Sequence, residues 1–247
     1  MNLRDRMRAR IPRNTSGRWY QIRNLDEDRV VVRIYDEIGF FGVSAEDFAS
    51  EIARLDVGEI EVQINSPGGD VFDGIAIYNA IRTHPARVTT RVDGVAASAA
   101  SVIAQAGDHR VMLQSSQMMI HEAWGLAIGP ADEMREFADL LDQQNDIIAG
   151  IYATRSGGEI DEFRSLMSAE TWMTDQEAVD RGLADELVVP ALQNVALIPT
   201  AKITEPAPVP DPEPPTDPEP NPDPVTFDPT PLLALAEVRD TFGARAE

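Results

Sequence analysis

The chain has 247 residues, 43% of them hydrophobic, so it can bury at least one core of domain size. Its formal net charge of −21 at pH 7 argues against a nucleic-acid partner, because a phosphate backbone selects for basic surfaces. It contains no cysteine, which excludes disulfides, zinc–thiolate sites and a thiol nucleophile. No apolar run is long enough to span a bilayer, so the sequence predicts no membrane partner.

The first half of the chain predicts strands that alternate with helices. β-Branched residues favour strands, and Ser44 is an N-cap candidate for a helix whose apolar residues share one face. The predicted strands are 28–38, 59–65 and 87–93, and the predicted helices are 44–55 and 70–83. This alternation indicates an α/β fold with largely parallel pairing.

The second half is predicted to be mostly helical. Small residues favour a helix directly after the third strand, and apolar residues at helical spacing mark a long helix further on. The predicted helices are 98–106, 131–154, 159–167 and 175–181, with short strands at 109–113, 117–121 and 187–189.

Composition divides the chain into four regions. The predicted order is a basic N-terminal arm (1–24), a folded domain (25–195), a disordered linker (196–230) and a short amphipathic helix (231–247). The arm has five arginines among its first 13 residues, but no apolar segment follows, so it does not predict a secretory signal. Residues 205–229 hold 11 of the 18 prolines, interleaved with Asp and Glu, which predicts an extended polyproline-like segment. The terminal helix is interpreted either as transient or as a docking peptide on this tether.

Three short segments, in order, carry the parts of a serine hydrolase. Residues 64–69 (INSPGG) end a strand in a Gly-Gly turn, which frees the backbone to aim N–H groups at an oxyanion. Residues 94–101 (GVAASAAS) set Ser98 among very small side chains, so that a substrate backbone can approach it. Residues 118–121 (MMIH) place His121 at the end of an apolar strand. Acyl transfer needs these three elements: oxyanion donors, a nucleophile and a base.

Each residue also has a plainer interpretation. Taken alone, Ser98 fits an N-cap better than a nucleophile. Ser101 competes as the nucleophile but is expected to point deeper among the helices. His84 and His109 are predicted at surface positions, so His121 is the best partner for Ser98.

The sequence limits the choice of catalytic base more than the choice of the carboxylate that orients it. The only lysine, Lys202, lies in the tail, which excludes a Ser–Lys dyad in the folded region. A carboxylate should orient the imidazole of the base. The residues themselves leave that carboxylate open; the candidates are Glu122, Asp161, Glu170 and Asp175.

The three segments, together with 177–185 (EAVDRGLAD), resemble the proteolytic subunit of the Clp protease family over about residues 30–187. The resemblance implies the ClpP/crotonase-like fold, a superhelix of repeated ββα units with a handle helix, here 131–154. It implies Ser98 as nucleophile, His121 as base and Glu170 as the acid, where the family usually has Asp. The N–H groups of Gly69 and Ala99 become the oxyanion donors. No cofactor and no metal are implied.

The resemblance also implies a function. It is that of a serine endopeptidase that hydrolyses peptide bonds through an acyl-enzyme, assembled into closed homo-oligomeric rings. The segment 19–35 and the acidic tail resemble the head maturation proteases of tailed phages. That narrower resemblance implies scaffold or capsid protein as the partner, and host cytoplasm or a prohead as the location.

Two other classes stay open beside the protease. One is a crotonase-like enzyme acting on acyl-CoA, and the other is an inactive ring-forming scaffold subunit. The chain has no P-loop motif, so an unfolding ATPase would be a separate partner. An activated serine would separate the protease from both alternatives.

Overall fold

The structure is a computed structural model that describes residues 19–39 and 44–190. Its strands are β1 (Tyr20–Asn24), β2 (Arg29–Ile34), β3 (Glu59–Ser66), β4 (Arg87–Ala97), β5 (His109–Leu113), β6 (Gln117–Ile120), β7 (Thr171–Thr174) and β8 (Glu186–Val188). Its helices are α1 (Ala45–Ile52), α2 (Val71–Arg82), α3 (Ala99–Ala104), α4 (Ala131–Ser156), α5 (Ile160–Ser168) and α6 (Asp175–Asp180).

These strands form one mixed sheet. The order is β1-β2-β3-β4-β5-β8, while β6 pairs with β4 and β7 pairs with β6. The pairings from β2 to β5, of β4 with β6 and of β5 with β8 are parallel, which confirms the predicted α/β class. The pairings of β1 with β2 and of β6 with β7 are antiparallel.

Strand β4 changes partners along its length. Its first part, through Val92, pairs with β5, and its last part, from Val95 to Ala97, pairs with β6. The strand is therefore four residues longer than the sequence predicted, and it ends directly before Ser98. Because β4 and β6 are parallel, the residues that follow them emerge at the same edge of the sheet.

The main core lies between one face of the sheet and the helices. Paired residues of β2 and β3, such as Val32 with Val62 and Ile34 with Ile64, are fully buried on that face. Phe48 of α1 and residues of the other helices complete the same cluster. None of the helices in the described ranges combines the length and apolarity needed to cross a bilayer.

Strand β1 lies within the segment that the sequence assigned to the N-terminal arm. Trp19 and Tyr20 are only 2% and 1% exposed, and their ring centroids lie 5.3 and 4.9 Å from that of Phe48. This aromatic cluster places the start of the folded domain before residue 25. The rest of the arm, the linker from 196 to 230 and the helix over 231–247 lie outside the described residues.

Candidate active site

Strand pairing brings Ser98 and His121 together. Ala97 of β4 is in register with Met119 of β6, and the Ser98 N–H donates to the Met119 carbonyl at 2.9 Å. The two side chains that follow these strands then meet, with His121 Nε2 2.7 Å from Ser98 Oγ. An imidazole nitrogen at this distance can take the hydroxyl proton of the serine.

The backbone of Ser98 differs from that of an ordinary helix cap. Ser98 has φ 56° and ψ −128°, and its side chain makes no capping hydrogen bond. By contrast, Ser44 and Thr174 form complete capping boxes at α1 and α6. A non-glycine residue with positive φ carries strain of about 1–3 kcal/mol, and such residues cluster at functional sites. The geometry therefore does not support the N-cap interpretation of Ser98.

The competing residues lie elsewhere. Ser101 is fully buried, and its hydroxyl contacts the Ser98 carbonyl and Tyr152 rather than a histidine. Nε2 of His84 lies 3.2 Å from the Leu55 carbonyl. Nε2 of His109 lies 2.8 Å from a carboxylate of β8. Both histidines are partly exposed, the His109 side chain to 37%, and neither of these Nε2 atoms contacts a serine.

The Gly68–Gly69 turn packs directly against the Ser98 turn. Gly68 has φ 93°, and a Cβ there would lie 2.6 Å from the Ala97 carbonyl oxygen and 2.9 Å from the Ala99 nitrogen. At Gly69, a Cβ would lie 2.0 Å from the Ile38 carbonyl oxygen. Neither position accepts a side chain, so the two glycines are required by the close approach of these backbones.

The orientation of the Gly69 N–H follows from its own peptide group. The Gly68 carbonyl accepts the Ile38 N–H at 2.8 Å, so it points toward Ile38. No peptide bond among the described residues is cis, and in a trans peptide the C=O and the next N–H point in opposite directions. The Gly69 N–H therefore points away from Ile38.

Glu170 occupies a defined position beside His121. In the β6–β7 register Gln117 pairs with Thr174 and Ile120 with Thr171, so His121 and Glu170 each adjoin the last pair of the two strands. The Met167 carbonyl accepts the N–H of Glu170 at 3.0 Å and the N–H of Glu122 at 3.2 Å. One carbonyl thereby fixes both the turn that carries Glu170 and the segment that follows His121.

The other candidate carboxylates are placed differently. Asp175 lies at the far end of β7 from Glu170 and accepts the Ser115 N–H at 2.6 Å. Asp161 is exposed in the first turn of α5. Glu122 is the immediate neighbour of His121 in the chain. Among the four candidates, Glu170 is the one that directly precedes Thr171, the pairing partner of Ile120 next to His121.

The sequence missed an apolar wall beside the site. Val95, Ala97 and Met119 form a small buried cluster, separate from the main core, and Trp172 of β7 packs on it. Trp172 sits on a strand that was not predicted, although the alternation in 171–174 (TWMT) is a strand signal. This wall holds the ends of β4, β6 and β7 together next to Ser98 and His121.

The described residues form no metal site, and one cavity among them lies away from Ser98. Within residues 19–39 and 44–190, no cluster of three or more His, Asp or Glu could hold a metal ion. A cavity of about 260 Å³ is lined by Leu25, Arg29, Glu59 and Arg87, among others. Glu59 and Arg87 begin β3 and β4, so this cavity lies at the opposite end of β4 from Ser98.

Comparison with known proteins identifies relatives of the whole folded region. The family described as Clp protease matches residues 15–191. An ATP-dependent Clp protease proteolytic subunit of Ligilactobacillus salivarius is 39% identical over 132 residues, or 53% of this chain and 67% of that protein. The subunit of the same name from Bacteroides fragilis is 33% identical over 165 residues, or 62% of this chain and 80% of that protein. One from Pleurastrum terricola is 37% identical over 134 residues, or 53% and 68%.

Proposed function

The chain belongs to the Clp protease family of peptidases, and we propose that it is a serine endopeptidase. Ser98 is the nucleophile, His121 the general base and Glu170 the acid that orients the imidazole. The observation that carries this proposal is the 2.7 Å contact between His121 Nε2 and Ser98 Oγ at a strained strand-to-helix turn. A serine activated in this way is the nucleophile of acyl transfer.

In the first step, His121 Nε2 takes the Ser98 Oγ proton as the oxygen attacks the carbonyl carbon of the scissile peptide. The carbonyl π electrons move to the oxygen, and the N–H groups of Gly69 and Ala99 stabilise the resulting oxyanion. Each such donor contributes about 10²–10³-fold in rate. The Glu170 carboxylate stabilises the imidazolium that forms.

In the second step, His121 returns the proton to the leaving amine, the C–N bond breaks, and the acyl group stays on Ser98 Oγ. Water then attacks the ester carbonyl while His121 takes its proton, and the acid product leaves as Ser98 regains the hydrogen. Every proton in this cycle passes through His121, so no metal or cofactor is part of the proposal.

Assembly is the second part of the proposal. Proteases of this family form oligomeric rings and act on protein substrates. Leu126 and Ile128, which precede helix α4, are 84% and 90% exposed, and Met134 and Ile147 on α4 are also exposed. Apolar side chains exposed along one segment favour burial against another surface. We propose that copies of this chain associate through this segment and α4.

The narrower proposal is a role in phage head maturation, with scaffold or capsid protein as substrate. It rests on sequence features: the segment 19–35 and the acidic, proline-rich tail. The relatives are named subunits of an ATP-dependent protease, so a separate ATPase is the other partner to test. The crotonase-like and inactive-scaffold alternatives require no activated serine.

The test is labelling of the purified protein with a fluorophosphonate probe, followed by mass spectrometry. We expect one label per subunit at Ser98, and loss of labelling in both Ser98→Ala and His121→Ala. Ser165→Ala and His109→Ala change an exposed serine and a histidine outside the site, and they should label normally. An assembled wild-type protein that takes no label would contradict the proposal and favour an inactive scaffold or a crotonase-like enzyme.

A further inference from the structure

Two buried hydroxyl groups hold the peptide that follows the proposed nucleophile. Ser101 Oγ donates to the Ser98 carbonyl at 2.5 Å, and the Ser101 N–H donates to the same oxygen at 2.9 Å. Tyr152 Oη, from helix α4, lies 2.8 Å from Ser101 Oγ. Ser101 is 0% and Tyr152 1% exposed, so bulk water does not compete for these bonds.

The direction of donation follows from counting protons. A carbonyl oxygen can only accept, so the one hydroxyl proton of Ser101 points to Ser98. Tyr152 must then be the donor to Ser101 Oγ. Burial raises the pKa of Tyr152 above its ordinary value, so the phenol keeps its proton at any pH at which the enzyme would work. The order is Tyr152 to Ser101 to the Ser98 carbonyl.

The held carbonyl belongs to the same planar group as the Ala99 N–H. Because that peptide is trans, an oxygen fixed by Ser101 also fixes the direction of the N–H on the opposite side. The turn needs such support, since Ser98 has φ 56°, which a residue with a Cβ rarely adopts. The Ala99 N–H lies beside Gly68, whose missing Cβ leaves room for it.

We propose that Ser101 and Tyr152 are positioning residues that aim the Ala99 N–H at the oxyanion of the reaction; this rests on the proposed function. They act through the Ser98 carbonyl and do not contact the substrate. Tyr152 lies on helix α4, so its contact with Ser101, 51 residues away in the chain, connects that helix to the site.

A serine that bonds back to a carbonyl of its own helix is common and is usually structural. Ser165 of α5 does this with the Asp161 carbonyl at 2.8 Å, on an exposed helix away from the site. Ser165→Ala therefore removes the same kind of bond without touching the Ser98 peptide. Tyr78→Phe is the corresponding control for the phenol, since Tyr78 lies in helix α2, partly buried against the main core.

The experiment measures the second-order rate of fluorophosphonate labelling at Ser98 in full-length Tyr152→Phe, Ser101→Ala and the double variant. Rates are taken at a temperature at which circular dichroism shows every variant folded. We expect about a tenfold fall in each single variant, the effect of losing roughly one buried hydrogen bond. The double variant should be no slower than Ser101→Ala, because Tyr152 acts only through Ser101. The pH midpoint of labelling should not move, since His121 is untouched.

Each other result counts against the inference. Single-variant rates within twofold of wild type, with only the melting temperature lowered, would show a structural role and overturn it. Multiplying effects in the double variant, or a Tyr152→Phe protein that cannot fold at any temperature, would overturn it as well. A wild-type protein that takes no label would instead overturn the proposed function, and this inference with it.

Discussion

His121 directly follows Ile120 of β6 and Glu170 directly precedes Thr171 of β7, and Ile120 and Thr171 are the last pair of the antiparallel register. Both residues follow or precede short strands, and the Met167 carbonyl accepts backbone N–H groups from both segments. The Glu170 N–H therefore holds the backbone of this turn in place. Because this bond uses the backbone, a substitution at Glu170 can change the side-chain charge and keep the hydrogen bond to the Met167 carbonyl.

Replacing Glu170 by Gln should lower kcat for peptide hydrolysis by about a hundredfold or more, because an amide cannot stabilise the imidazolium. Glu170→Asp should keep much of the activity, since it restores the charge at the same backbone position. The measurement is steady-state hydrolysis together with the rate of fluorophosphonate labelling.

Three further variants decide between Glu170 and the other candidates. Glu122→Gln, Asp161→Asn and Asp175→Asn should each leave kcat within a few-fold of wild type. If one of them abolishes hydrolysis while Glu170→Gln does not, the acid has been assigned to the wrong carboxylate.

Gly68→Ala should cost at least about a hundredfold in activity. Its Cβ would lie 2.6 Å from the Ala97 carbonyl oxygen and 2.7 Å from Ser98 Cβ, so the Ser98 turn must move. The matched control is Gly150→Ala in helix α4, where a Cβ meets nothing within 4 Å. That change should stabilise the protein by about 0.5–1 kcal/mol. An active Gly68→Ala enzyme would show that the turn is not packed against the nucleophile.

The protein should lose stability in acid through Asp108 and Asp185. The Val88 N–H and then Arg82 hold the pKa of Asp108 below its usual value. Burial raises the pKa of Asp185, but hydrogen bonds from Arg110 outweigh it and leave that pKa lowered. A folded-state pKa below the unfolded value means that the unfolded chain binds more protons. The stabilisation is therefore present above about pH 4 and is lost as pH falls through the folded pKa values.

Urea unfolding between pH 7 and pH 3 measures this dependence. Asp108→Asn and Asp185→Asn should each lower the free energy of unfolding at pH 7 by about 1 kcal/mol. Each should also reduce the fall of that free energy as the pH decreases toward 3. Asp56→Asn, at an exposed position before β3, serves as the control. If the free energy of unfolding falls with decreasing pH in both variants as it does in the wild type, other carboxylates govern acid unfolding.

Replacing Leu126 and Ile128 by Glu should dissociate the proposed assembly. A charge placed in a buried apolar contact costs several kcal/mol, so the double variant Leu126→Glu/Ile128→Glu should sediment as a smaller species. Val189→Glu adds a charge at an exposed apolar residue outside this segment and should keep the wild-type mass. Sedimentation velocity provides the comparison, and equal masses for all three proteins would place the contact elsewhere.

The sequence by itself determined the elements with strong local signals. Strand β3, helix α2 and helix α4 appear within about two residues of their predicted bounds, because apolar periodicity and caps depend on neighbours in the chain. The same local reading selected Ser98 and His121, since small residues around a serine and a histidine after an apolar strand are visible without a fold.

Tertiary structure decided what depends on distant residues. Strands β1 and β7 are short, and the sheet partners that stabilise them lie elsewhere in the chain, so their own residues gave a weak signal. The positive φ of Ser98 and the bond from Tyr152 to Ser101 arise only where β4, α3 and α4 pack together. Local sequence fixes the period and chemistry of each segment, whereas the geometry of a site depends on contacts between segments that the chain keeps far apart.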